Sequence, residues 1–180
     1  ELNAESFSML AMLVAKDPQN AMWLDTHNKS VLNKLSMIPA SDWSASNDAE
    51  LNQLQESTRK LLMLDSSNST NKIRLAAILR ENALRALHAG NAADAMTSAK
   101  SAHALMLDLV KTSDQSPQLL VHLAKSAETL GSALMATRPA EAAELIWDET
   151  AVLLDKQTIH VFDFYPVRYL LAVDLNQTEK

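Results

Sequence analysis

The sequence predicts an all-α fold built of stacked antiparallel helix hairpins, about eight helices in all. Three observations carry this expectation. Gly occurs only twice, at Gly90 and Gly131, and Pro five times in 180 residues, too few for the many tight turns of a sandwich or barrel. Ala, Leu, Met, Lys, Glu and Gln dominate instead, and these residues favour helices. Finally, an Asp-led turn signal recurs as "DPQN" at Asp17, "DSSN" at Asp65, "DQSP" at Asp114 and "DFYP" at Asp163, with spacings of 48, 49 and 49 residues. Each signal separates two stretches of helical periodicity.

The first helix is expected over residues 4–15, with Asn3 as its N-cap. "DPQNAMW", Asp17 to Trp23, then reads as punctuation. Pro18 biases Asp17 away from helical geometry, Asn20 caps the outgoing helix and Trp23 packs in its first turn. That second helix runs to about Met37 and is stopped by Pro39. The segment "IPASDWSASN" at 38–47 is longer and more polar than the other turns, which makes the first repeat irregular there. Asn47 is expected to open a third helix to Leu64, with Glu50 three residues later as a capping signature. Helices four and five, at about 70–88 and 91–111, are joined by "HAGN" with Gly90 at the C′ position. Ser116 and Pro117 start the sixth as N-cap and first-turn Pro. "TRPAE" separates it from a seventh at 139–156, and Pro166 opens an eighth that runs to the end of the chain. In the fifth helix Ala92, Ala95, Met96, Ala99, Ala102, Leu105, Met106 and Leu109 form one apolar stripe. A hairpin with such a face cannot bury it alone, so neighbours must stack on it.

The period divides residues 1–180 into a leading helix at 4–15, repeats at 17–64, 65–113 and 114–162, and a partial repeat at 163–180. Within the third, "AETLGSAL…AEAAELIW" resembles the tetratricopeptide repeat: Ala127, Leu130, Gly131 and Leu134 on a first helix, then Ala143 and Trp147 on a second. Gly131 lets two helices approach closely, and Trp147 fills the space between repeats. The second repeat fits more loosely through Leu79, Ala83, Ala86, Gly90, Ala95 and Ala102, with Asn82 and Ala99 departing from the pattern. The first keeps Leu32, Leu35 and Ser36, but Pro39 stands where a helix residue is expected. A standard repeat has about 34 residues; this one has about 48, similar to the extended tetratricopeptide-like arrays of large bacterial multidomain proteins, whose repeats open Asp-Pro-x-Asn…Trp. The resemblance implies one right-handed α-α superhelix whose first helices line a concave groove for an extended peptide or a helix. Groove-facing candidates are Asn33, Met37, Arg80, Leu84, Lys125, Glu128, Ser132 and Met135. A known variant of the family clamps a C-terminal carboxylate with Lys, Asn and Arg; Met37 and Leu84 occupy matching positions here, so that clamp is not carried over.

Composition narrows the function. Scarce Gly leaves no phosphate loop, dinucleotide fingerprint or nucleophile elbow. A net charge of −6 and no clustered Lys and Arg disfavour nucleic acid as a partner. Without Cys there is no disulfide, thiol catalysis or zinc-thiolate site, and the chain suits cytoplasm or periplasm equally. No run of 18 apolar residues is present, so no membrane span is expected. A start at Glu1 suggests an excised fragment from which a targeting signal or a membrane anchor could be missing, which leaves the compartment open. His27, His88, His103, His122 and His160 show neither i, i+4 pairing nor an HExxH motif, so neither a metal nor another cofactor is expected. Asp25 and His27 in "WLDTH" point to different helix faces. Glu141, Glu144 and Asp148 at helical spacing read as a solvated face before they read as a carboxylate site. The eight Met residues fill gaps between Ala-lined helices or supply an adaptable peptide surface. "FDFYP" reads as a linker packed on the last repeat, with Arg168 and Tyr169 beside it as exposed candidates. The expected function is therefore non-catalytic binding of a peptide or partner domain. The alternative is a regulatory or sensory segment of a larger bacterial kinase or transcription regulator, packed on its own neighbours. Terminal helices lacking partners would allow self-association.

Overall fold

The computed structural model describes residues 2–39, 42–112 and 116–136 of the chain, with side chains from residue 5 onward. These residues form six α-helices and no strand: α1 (Leu2–Lys16), α2 (Ala21–Ser36), α3 (Ala45–Leu64), α4 (Ser69–His88), α5 (Ala92–Thr112) and α6 (Pro117–Met135). The helices expected at 139–156 and from Pro166 lie outside the described residues, as do Ala143, Trp147, Asp114 and Asp163. The chain divides into two compact units, Glu1–Ile78 and Leu79–Lys180, with the division inside α4.

Turn chemistry sets where the helices begin and end. At Asp17 the carboxylate accepts from the Gln19 N–H at 3.3 Å, and the Asp17 carbonyl accepts from the Asn20 N–H at 3.2 Å. Asn20 then caps α2, its side chain accepting from the Trp23 N–H at 3.2 Å. The same arrangement recurs at the second signal. Asp65 accepts from the Ser67 N–H at 3.0 Å, its carbonyl accepts from Asn68 at 3.3 Å, and Asn68 accepts from the Asn71 N–H at 3.0 Å. Asp-x-x-Asn is thus a two-part stop and start, in which the Asp closes a turn and the Asn supplies an acceptor to the next helix's unpaired donors.

Two helix starts differ from expectation. α1 already begins at Leu2, so Asn3 lies inside it and is not its N-cap. α3 begins at Ala45 with Ser44 as N-cap, which places Asn47 at the third helical position. The Asn47 side-chain oxygen accepts from the Ser44 N–H at 2.9 Å and from the Ser44 hydroxyl at 2.7 Å. Asn47 therefore provides the returning half of a capping box, the role expected of Glu50. Ser116 does cap α6, accepting from the Leu119 N–H at 3.2 Å, with Pro117 in the first turn.

In the first unit α2 packs on both α1 and α3. Cross-helix partners give the direction of the α2–α3 pair: Lys34 meets Glu50, and six residues earlier Asn28 meets Ser57 and Thr58. Moving back along α2 moves forward along α3, so the two are antiparallel. Val31 and Leu35 of α2, Leu51 and Leu54 of α3 and Ile78 of α4 form the core, with Phe7, Leu32, Ile38 and Trp43 against it. The irregular segment before α3 contributes Ile38 and Trp43 to that core, and the Trp43 indole N–H donates to Asp48 at 2.6 Å. Arg74 of α4 is 7% exposed and donates to Asp25 of α2 and to Asn71, each at 2.6 Å. No described side chain of α1 is fully buried, and Met9 and Met12 face solvent.

In the second unit small residues set the spacing. Ala83 of α4, Ala95 and Ala99 of α5, and Leu130, Ala133 and Leu134 of α6 form one cluster, with Ala86, Leu87 and Met96 packed around it. α6 is buried over most of its circumference, including Leu120, Leu123, Ala127 and Gly131. α4 ends at a left-handed Gly90 (φ 73°) whose N–H donates to the Leu87 carbonyl at 3.0 Å, while Asn91 N–H reaches Ala86 at 2.8 Å. This is the Schellman pattern, and it turns the chain directly into α5. A Cβ at position 90 meets nothing within 4 Å, so only the backbone angle penalises substitution. Gly90→Ala is expected to lower stability by about 1 kcal/mol and Gly90→Asn by less. Urea denaturation of the two variants checks the order, and an unchanged Gly90→Ala midpoint would contradict it.

Candidate functional site

Two polar arrangements, one in each unit, carry partly exposed groups that a ligand could meet. In the first unit an open cleft of about 350 Å³ is framed by α1, α2 and α3. Its apolar lining includes Phe7 and Val14 of α1, Leu24 and Val31 of α2, and Leu54 of α3. Its polar lining comes from His27 and Asn28 of α2 and from Glu50, Gln53 and Ser57 of α3. Helical spacing explains the set, since 24, 28 and 31 share one face of α2 while 50, 53, 54 and 57 share one face of α3.

Asn28 and Thr58 sit in the buried stripes of their helices, with Asn28 1% and Thr58 0% exposed. They satisfy one another across the interface: the Asn28 amide donates to the Thr58 hydroxyl at 3.3 Å, and the Ser57 hydroxyl donates to the Asn28 carbonyl oxygen at 2.7 Å. Satisfied in this way, they fix the register of α2 on α3 at small cost. At the cleft mouth the Lys34 ammonium donates to both oxygens of Glu50, at 2.6 Å to Oε2. The same ammonium lies 5.2 Å from the Phe7 ring centroid, and Phe7 in turn pairs with the His27 ring at 5.6 Å. Burial holds the His27 pKa below its ordinary value; Glu50 opposes that shift and Lys34 adds to it.

The second arrangement joins α4 and α6 within the second unit. Arg80 has its pKa lowered chiefly by burial, with the carboxylates of Glu81 and Glu128 acting against it. His122 is also lowered, first by burial and then by the neighbouring charges of Arg80 and Lys125. Among the described residues the His122 Nδ1 atom is buried with no hydrogen-bond partner. Arg80, His122, Lys125 and Glu128 therefore form one electrostatic neighbourhood, bounded along the same face of α6 by Ser132 and Met135.

The groove candidates divide between the units. Asn33 and Met37 belong to α2 and its C-cap in the first unit, and both are exposed, Met37 at 77%. Arg80 and Leu84 on α4 are half-buried; on α6 Lys125 and Ser132 are exposed, Glu128 is half-buried and Met135 is 40% exposed. Of these residues the structure brings Arg80, Lys125 and Glu128 into mutual electrostatic range, linked by His122. Glu141, Glu144, Asp148, "FDFYP", Arg168, Tyr169 and His160 lie outside the described residues. Sequence reading missed the Asn28–Ser57–Thr58 network, the Lys34–Glu50–Phe7 group and the Arg74–Asp25 pair. One signal was available: Asn28 and Thr58 occupy positions where the helical stripe calls for an apolar residue.

Among the described residues, no group of three or more His, Asp or Glu side chains is placed to hold a metal ion. No helix among them is long and apolar enough to cross a membrane. No family model matches the chain, and neither a curated protein nor a solved structure does.

The two lowered imidazoles give a pH dependence with a defined sign. Below the ordinary value of 6.5 the unfolded chain takes up protons that the folded chain resists. Their stabilising contribution is complete above that value and is lost as pH falls through it toward the folded pKa values. Urea midpoints are expected to fall between pH 7.5 and pH 5.5, and His27→Gln or His122→Gln should each reduce the slope. Midpoints that rose on acidification would contradict the assignment.

Proposed function

We propose that the chain is a non-catalytic protein-interaction module of tetratricopeptide-like helical repeats, an α-α superhelix whose first helices receive a peptide or partner segment. One observation carries this reading. Arg80 is half-buried on α4, where desolvation outweighs the help it receives from Glu81 and Glu128. A partly desolvated guanidinium with five donors is a costly feature for a helix face to keep, and an arriving carboxylate or carbonyl group relieves that cost. Lys125 extends the same positive field, while Leu84, one turn beyond Arg80 on α4, and Met135 on α6 offer apolar contact. The partner surface is thus an acidic or carbonyl-rich segment with apolar flanks, held by the second unit. Asn33 and Met37 are exposed in the first unit.

A peptide-array screen followed by titration of the best ligand tests this. Arg80→Ala combined with Lys125→Ala should weaken binding by about tenfold or more, as loss of charge-assisted hydrogen bonds predicts. Met135→Ala should weaken it less. Binding that ignores these changes but is lost on replacing Lys100 and Asp108, exposed on α5, would remove the first-helix surface from the account.

A further inference from the structure

The Lys34 ammonium in the first unit rests in a site with the makings of a receptor. Three independent features surround it: the Glu50 carboxylate, to which it donates twice, the Phe7 ring face at 5.2 Å, and the apolar floor of the cleft formed by Leu24, Val31 and Leu54. Carboxylate, aromatic face and adjoining apolar volume are the three groups that recognise an ammonium carried on a hydrocarbon body. Lys34 satisfies only the first two. Its side chain is 46% exposed and is not among those lining the cleft of about 350 Å³, so its hydrocarbon stem does not fill that volume. That volume lies within the range of small-ligand sites, roughly 300–1,000 Å³.

We infer that this cleft binds a primary ammonium group on an apolar chain or ring, with the ligand ammonium replacing that of Lys34 at Glu50 and its hydrocarbon part filling the floor between α1 and α3. Exchange of one ammonium for another leaves the Glu50 charge neutralised throughout. The displaced Lys34 moves into water, where a long, flexible, already half-exposed side chain gives up little. What drives the exchange is burial of the ligand's apolar body, which Lys34 cannot supply. His27 lines the cleft and pairs with the Phe7 ring, adding an aromatic wall. A carboxylate ligand is excluded by Glu50, and a neutral alcohol forgoes the ion pair. Free amines and a lysine side chain presented by a peptide share this chemistry. This site is separate from the α4–α6 surface proposed above and does not depend on it.

Titration of the intact chain with hexylammonium, followed by chemical-shift changes at Phe7, His27, Gln53 and Ser57, provides the test. Saturable binding is expected, with hexanol weaker by about tenfold and hexanoate showing none. Two substitutions should act in opposite directions. Glu50→Gln removes the anchor and should weaken binding by about tenfold, whereas Lys34→Ala removes the competitor and should strengthen it by about threefold or more. A structural role alone gives no reason for Lys34→Ala to tighten binding. Both side chains are partly exposed, so both variants are expected to fold, and circular dichroism is the check on that. A peptide with one internal Lys that binds more tightly than hexylammonium identifies a protein source, and the reverse identifies a free amine. Equal binding of hexanol and hexylammonium, no saturable shift in the cleft, or unchanged affinity in Lys34→Ala would each overturn the inference.

Discussion

Everything described in the second unit depends on how closely α5 can approach α6. Ala95 and Ala99 face Leu130, Ala133 and Leu134, all of them at most 6% exposed. Where one side of a contact is a methyl group, the Leu side chains of the other can reach the opposite backbone, and dispersion contacts multiply. The same small residues make no polar demands, so the interface needs no buried hydrogen bonds to hold it. Each of these helices has an apolar face that is unstable in water alone, and the hairpin is the smallest unit in which that face is covered. α6, buried nearly all round, represents one extreme of this dependence. α1, with no fully buried side chain among its described residues, represents the other.

The first unit solves its register by different means. Its α2–α3 interface places Asn28 and Thr58 among Val31, Leu35, Leu51 and Leu54. An all-apolar seam tolerates sliding, but a buried amide that finds its hydroxyl partner in one alignment only does not. Lys34 with Glu50 repeats that alignment nearer the surface, while Arg74 of α4, itself buried, ties its helix to α2 through Asp25. Of the polar groups that specify the packing, Asn28, Ser57 and Glu50 also line the cleft.

Much of this was legible in the sequence, because turn chemistry is local. Asn20, Gly90, Ser116 and Pro117 act within a few residues of themselves, and their roles follow from their own donors, acceptors and backbone angles. The misreading at Asn47 has a plain cause. Asn is a good cap, but Ser44 three residues upstream of Asn47 is as good, and the pattern alone does not rank two adequate caps. The stripe of α5 was readable from periodicity, whereas the pairs that build the cleft were not. Lys34 and Glu50, or Asn28 and Thr58, are brought together by an interhelix register that no single-helix period encodes. Among the groove candidates, Arg80 lies on α4 and Lys125 and Glu128 on α6, but the approach of His122 to Arg80 depends on how those helices pack, which spacing of the histidines along the chain does not encode.

Amide hydrogen exchange resolved along the chain tests the central claim, that helix stability here comes from covered faces and not from intrinsic helicity. Strong helix formers populate α1 as fully as α6, so propensity alone predicts similar protection in both. Packing predicts a steep contrast: amides of Leu120–Leu134 in α6 should exchange roughly 100-fold or more slowly than those of Met9–Lys16 in α1, with the inner face of α5 close behind α6. Equal protection of α1 and α6 would contradict the account and return the stability to the helices themselves.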